Sequence, residues 1–228
     1  MSCIYWIGVG TGNPELITLK ALRILQAVPI VAYPASEEGN SFARSIVAEF
    51  LQGNQIEIPI VLPFKLAKSA QPFYDRASEQ LAEHLKNGRD VAVLCEGDPF
   101  FYGSFMYIYD RLSPKFTTEI IPGISSVMAS AAMIGLPLTY RNDVFMVLSG
   151  ILSKQVLQDK LKVADAAVII KLGKNFNKVK QVLQDLGLIK RAKYIENATL
   201  ENQKILSINE VEAETVPYFS LIVVPSQF

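Results

Sequence analysis

Two hydrophobic rhythms alternate along the first half of the chain. Cys3–Val9 is an apolar run that ends in glycines, and Pro14–Gln26 follows with leucines at positions 16, 19, 22 and 25. That spacing predicts a helix, with Asn13 as N-cap and Pro14 at its first position. The pattern continues as a strand over Pro29–Tyr33, a helix over Ser41–Leu51 and a strand over Ile56–Leu62. A long amphipathic helix, Gln71–Asn87, is built on Phe73, Ala77, Leu81 and Leu85, with Gly88 as its stop. Asp90–Cys95 is almost purely apolar, as in a strand buried on both faces of a parallel sheet. A helix over Gly103–Leu112 and a strand over Phe116–Ile121 complete this half.

The rhythm then changes. A helix over Ser125–Met133, a strand at Val144–Leu148, a helix near Lys154–Leu161, a strand at Ala166–Lys171 and a helix at Phe176–Leu186 come next. Three strands follow, Lys193–Glu196, Lys204–Ile208 and Tyr218–Val224, with room for only one further short helix among them, so the second sheet should be antiparallel or mixed. We expect two α/β domains, 1–121 and 122–228, without a Gly/Ser linker between them.

Composition narrows the chemistry. Of 228 residues 50% are hydrophobic, and 22 basic side chains balance 22 acidic ones, which argues against nucleic-acid binding. The single histidine, His84, lies at the edge of a helix face and reads as a solvated or partly packed residue. Cys3 and Cys95 are far apart in sequence, so neither a Cys/His zinc site nor a disulfide framework is expected. The uncharged run Ile120–Tyr140 is interrupted by Pro122, Gly123, Gly135 and Pro137 and does not read as a membrane span. With no leader-like N-terminus, the expectation is a soluble cytoplasmic protein.

Three motifs stand where strands end. Gly8-Val9-Gly10-Thr11-Gly12-Asn13 resembles a dinucleotide fingerprint, but Asn13 replaces the third glycine and Val31-Ala32-Tyr33-Pro34 lacks the acidic residue. It is a glycine turn that serves a ligand or only the fold. In Glu96-Gly97-Asp98-Pro99-Phe100-Phe101-Tyr102-Gly103, Asp98 either accepts hydrogen bonds from a ligand or caps the following helix. In Ile121-Pro122-Gly123-Ile124-Ser125-Ser126 the serines suit a ribose or carboxylate, or simple N-capping.

Together with Gly135–Leu138 (GLPL), Val168–Val179 (VIIKLGKNFNKV) and Arg191–Ala198 (RAKYIENA), these stretches resemble the tetrapyrrole methylase family of S-adenosylmethionine-dependent enzymes over nearly the whole chain. The EGDPFFYGS and KLGKNF wording is similar to the branch that methylates carbon 20 of precorrin-2, or its cobalt form, in corrin biosynthesis. The resemblance implies a largely parallel N-terminal sheet, a mixed C-terminal sheet, an active site in the interdomain cleft and a homodimer. It assigns S-adenosylmethionine contacts to Thr11, Gly97, Asp98, Phe101, Ser125, Ser126, Leu172 and Ala198. Thr11 and Asn13 stand where the family commonly has proline and aspartate.

Methyl transfer from a sulfonium asks mainly for alignment and for a group to take the proton from the methylated carbon. Asp143, Glu96 and Tyr102 are the proton-acceptor candidates, and Arg141, Lys171 and Lys174 are candidates for holding substrate carboxylates. No protein-bound metal is expected. Competing expectations are methylation of another ring carbon and a non-catalytic cofactor-binding module.

Overall fold

A computed structural model describes residues 2–61 and 71–227. The chain divides into two compact units, Met1–Ser125 and Ser126–Phe228. In the first, the apolar runs form β1 (Cys3–Gly8), β2 (Ile30–Ala35), β3 (Ile56–Val61), β4 (Val91–Cys95) and β5 (Thr117–Ile121). They make a parallel sheet in the order β3-β2-β4-β1-β5. Alternate residues face opposite layers. Ile4, Trp6, Val91 and Val93 pack with Leu81, Leu85, Ile108 and Leu112 of α3 (Gln71–Lys86) and α4 (Met106–Leu112). Ile7, Val31, Ala92 and Leu94 pack instead with Ala21, Leu25 and Ile46 of α1 (Leu19–Ala27) and α2 (Phe42–Ile46). Burial on both faces explains why β4 is apolar throughout.

The second unit opens with α5 (Ser126–Ile134) and contains β6 (Phe145–Ser149), α6 (Lys154–Val163), β7 (Ala166–Ile170) and α7 (Phe176–Asp185). Then come β8 (Lys193–Glu196), β9 (Lys204–Ser207) and β10 (Ser220–Val224). The order is β6-β7-β10-β8-β9, with β6 and β7 parallel and β10 antiparallel to both its neighbours. This is the mixed sheet expected from the sequence. Leu157, Leu161, Val179, Val182 and Leu183 of α6 and α7 close its core over Ala167, Ile169, Tyr194 and Ile222.

Several elements differ from the periodicity. The predicted helix Pro14–Gln26 is two pieces, a 3-10 turn at Pro14–Leu16 and then α1. Asn13 Oδ1 accepts from the Glu15 N–H at 2.9 Å to cap the first piece, and Thr18 Oγ1 accepts from the Ala21 N–H at 3.1 Å to restart the second. The restart resets the phase, so Ala21, Ile24 and Leu25 face the sheet while Leu19 is 86% exposed. Ser41–Leu51 is likewise split, into α2 and a turn at Ala48–Phe50. On α3 the buried stripe runs through Tyr74 rather than Phe73. The helix expected over Gly103–Leu112 begins only at Met106, and two 3-10 turns stand where one short helix was expected before β10. Leu62, the last residue of the strand predicted over Ile56–Leu62, lies outside the described residues.

Candidate functional site

The three glycine motifs converge because β4, β1 and β5 are neighbours in a parallel sheet, which brings their C-terminal ends to one edge. Their backbones touch. The Gly10 and Gly97 backbones exchange hydrogen bonds of 2.7 and 3.3 Å. A Cβ built on Gly8 would stand 2.5 Å from the Gly123 nitrogen, and one on Gly123 would stand 2.1 Å from the Gly97 oxygen. No side chain fits at either position, so these glycines serve the close approach of loop to loop.

Asp98 ties the same join. Its Oδ1 accepts from the Phe100 N–H at 2.9 Å and its Oδ2 from the Gly123 N–H at 3.1 Å. The helix-capping alternative is therefore replaced by a clamp between two loops. Glu96 differs. Its side chain is open to solvent on one side, yet protein crowding around the carboxyl raises its pKa above the ordinary 4.5. Hydrogen bonds from the N–H groups of Glu96 itself and Ala43 pull the other way without cancelling that effect. Cys95, just before it, is buried, and its thiol is pushed far above the usual range.

Aromatic rings line the loop after β4. Phe100 meets Tyr109 edge to face at 4.9 Å, and Tyr109 in turn meets Trp6 in the core at 5.8 Å. Tyr102 packs against Phe101 and remains 45% exposed, on a backbone with φ of 58°. Thr11 and Ser125 are half-buried on the first and third loops.

In the second unit the sequence candidates separate into two groups. Lys171, Leu172 and Lys174 follow β7, and Ala198 follows β8, which runs in the same direction as β7 because each is antiparallel to β10. Those residues share the strand-end edge. Arg141 and Asp143 precede β6, and so lie at the opposite edge of that sheet, about 17 Å away for a five-residue strand. Asp143 also has a structural task. It accepts from the Tyr140 N–H at 2.6 Å. That bond and, more strongly, one from the Ser226 hydroxyl hold its pKa below the ordinary value, which makes it a poor proton acceptor. The Leu172 side chain is fully buried, leaving its backbone as the part able to meet a ligand. Ser126 is exposed at the first residue of α5. His84 is half-buried near the end of α3, and burial lowers its pKa.

Non-glycine residues with left-handed backbone number five among the described residues: Tyr102, Arg141, Lys171, Asn197 and Thr199. Three of them are sequence candidates and the other two flank Ala198. Such conformations cost of order 1–3 kcal/mol each and gather where loops have a task beyond connection.

A family profile described as Tetrapyrrole (Corrin/Porphyrin) Methylases matches residues 3–213. The chain belongs to the tetrapyrrole methylase family. The cobalamin biosynthesis protein CobIJ of Mycobacterium tuberculosis is 38% identical over 97% of this chain but only 46% of that protein, so the chain spans about half the length of that curated relative. The precorrin-2 C(20)-methyltransferase of a Sinorhizobium species is 37% identical and covers 96% of this chain and 93% of its own. The crystal structure of a uroporphyrin-III C-methyltransferase from Thermus thermophilus, complexed with S-adenyl homocysteine, matches with a TM-score of 0.70 at 24% identity, covering 97% of this chain and 96% of that one. This likeness carries the two-sheet methylase fold over to the chain. No helix among the described residues is long and apolar enough to cross a membrane.

Sequence reasoning missed one pair. Tyr218 and Phe219 stand at the start of β10, where the apolar pattern suggested strand, and both are exposed. The signal available was Pro217 just before them, since a strand seldom runs through proline.

Proposed function

We propose that this tetrapyrrole methylase transfers the methyl group of S-adenosylmethionine to carbon 20 of precorrin-2 or of its cobalt complex. The observation that carries the reading is the join of the three strand-end loops at Gly8, Gly97 and Gly123, in a chain whose similarity to a named C(20)-methyltransferase runs the length of both. The residues fit such a cofactor. Thr11 and Ser125 bring hydroxyls, and the glycine turns bring backbone groups, to the strand-end edge of the first sheet, a donor set suited to ribose and amino-acid moieties. We assign cofactor binding to them together with Gly97, Phe101, Ser126, Ala198 and the Leu172 backbone. Asp98 acts on that site by holding its loops together.

The bound cofactor supplies an activated sulfonium methyl. What this chain must do is position the acceptor carbon, exclude water and take away one proton. We assign the proton to Glu96, whose raised pKa makes it a stronger base than an ordinary carboxylate and whose place beside Gly97 puts it at the join. Tyr102 is the second acceptor, on the same loop. Lys171 and Lys174 hold substrate carboxylates; Arg141, at the other edge of its sheet, is outside this set. We read the enzyme as a cytoplasmic homodimer, as the family resemblance implies.

Incubation with methyl-labelled S-adenosylmethionine and precorrin-2, metal-free and cobalt-loaded in parallel, tests the assignment. A product heavier by one methyl, located at carbon 20 by NMR, is expected. A methyl at another carbon overturns the regiochemistry, and cofactor binding without any transfer overturns the enzyme. Sedimentation at the mass of one chain would remove the dimer.

A further inference from the structure

The second sheet has an unusual insertion. Its final strand, β10, lies between β7 and β8 and runs against both. The start of β10 therefore emerges at the same edge as the ends of β7 and β8, about one strand spacing (~4.8 Å) from each. Tyr218 and Phe219 sit at that start. On one side stand Lys171, Leu172 and Lys174, on the other Asn197 and Ala198.

The pair is held rigidly. The Ser220 N–H donates to the Tyr218 carbonyl at 3.0 Å, the Ser220 hydroxyl donates to the Pro217 carbonyl at 2.7 Å, and the Asn197 N–H donates to the Phe219 carbonyl at 2.9 Å. The two rings meet edge to face at 5.1 Å. Even so, Tyr218 is 76% and Phe219 39% exposed, and Ile151, just beyond the end of β6 on this edge, is 65% exposed. A rigid aromatic pair in water, bracketed by two segments with left-handed backbone and accompanied by two exposed lysines, suits a ligand with an apolar face and a carboxylate rim.

We propose that Tyr218 and Phe219 form a ledge that receives the apolar face of the tetrapyrrole ring while Lys171 and Lys174 meet its carboxylates. The proposal rests on the methyltransferase reading and adds specificity-determining residues to it. Charge complementarity selects this occupant over a second copy of the chain, because the aromatic pair and the lysines share one short edge.

The test is steady-state methyl transfer at saturating S-adenosylmethionine. It compares the wild type, Tyr218→Ser, the double variant Tyr218→Ser/Phe219→Ser, and Tyr218→Phe. Calorimetry with S-adenosylhomocysteine and sedimentation run alongside. The double variant should raise KM for the tetrapyrrole about tenfold, the equivalent of one lost ring burial. Its kcat and its affinity for S-adenosylhomocysteine should stay within about twofold, and Tyr218→Phe should behave as wild type. If the double variant fails to fold, Tyr218→Ser alone decides, since that ring is mostly in solvent. An unchanged KM in an active, folded variant overturns the ledge and leaves the enzyme reading intact. A shift in oligomeric state with KM unchanged also overturns it, in favour of a contact between copies. Absence of methyl transfer by the wild type overturns the enzyme reading and the ledge together.

Discussion

Glu96 and Asp98 stand two positions apart on one loop and divide the work of a carboxylate between them. Asp98 has each oxygen engaged by a backbone N–H, so its first contribution is to the loop itself. Asp98→Ala should lower the unfolding free energy by about 1–3 kcal/mol, because two donors lose their acceptor. Urea unfolding measures this, and an unchanged midpoint would show that the clamp does not act. Glu96 keeps a carboxyl whose proton affinity is raised by crowding. In the role proposed for it Glu96 works ionised, so kcat should fall as pH drops through a value above 4.5, and Glu96→Gln should remove that limb while lowering kcat by roughly 10²–10⁴-fold. Glu57 shows the opposite sign. Arg44, bonded at 2.8 and 2.9 Å, and the Tyr33 hydroxyl hold its pKa below 4.5. Its stabilisation is complete above 4.5 and is lost as acid carries the pH down through the lowered value. For this partly exposed pair, Glu57→Gln should cost no more than about 1 kcal/mol at neutral pH and nothing in acid, read as melting temperature against pH.

At the scale of elements, the turns govern where regular structure starts. Thr18 opens α1, and Thr18→Ala should cost about 1 kcal/mol in thermal unfolding. Gly123→Ala should do far more, above about 3 kcal/mol or no soluble protein, since its Cβ would meet the Gly97 oxygen. Gly187→Ala, at φ of 69° but with open space around it, should cost only about 1 kcal/mol. The contrast explains what the sequence could convey. Strands such as β4 and β7 were readable nearly to the residue because burial on both faces writes an unbroken apolar run. The glycine and Asp98 motifs were readable because tight turns restrict residue types locally. The phase of α1 was not, because a three-residue leucine spacing looks the same whether Thr18 interrupts it or not. Nor was the place of Tyr218, which depends on β10 pairing with strands about 25 and 50 positions away, a long-range fact without local spelling.

At the scale of the whole molecule, balanced charge conceals uneven placement. The total of 22 against 22 offers no field to attract an anionic ligand, so the proposed function leaves recognition of one to Lys171 and Lys174. KM for a polycarboxylate substrate should then rise as salt is increased from about 0.01 M to about 1 M, which shortens screening from about 30 to about 3 Å. S-adenosylhomocysteine affinity, measured by calorimetry across the same range, should change far less. Lys171→Gln/Lys174→Gln should flatten the salt response of KM.

Synthesis order gives the central place of β10 a further meaning. The first sheet has all five strands available once Ile121 has left the ribosome, and can fold while the rest is being made. The second cannot, because the strand that joins β7 to β8 is translated after every other strand in it. Until then β7 and β8 present unpaired edges to the cell, a window in which nascent chains are open to chaperones and to one another. A chain interrupted between Ile121 and Ser220 would carry a complete first sheet and an unfinished second, so translation to β10 is what completes the fold.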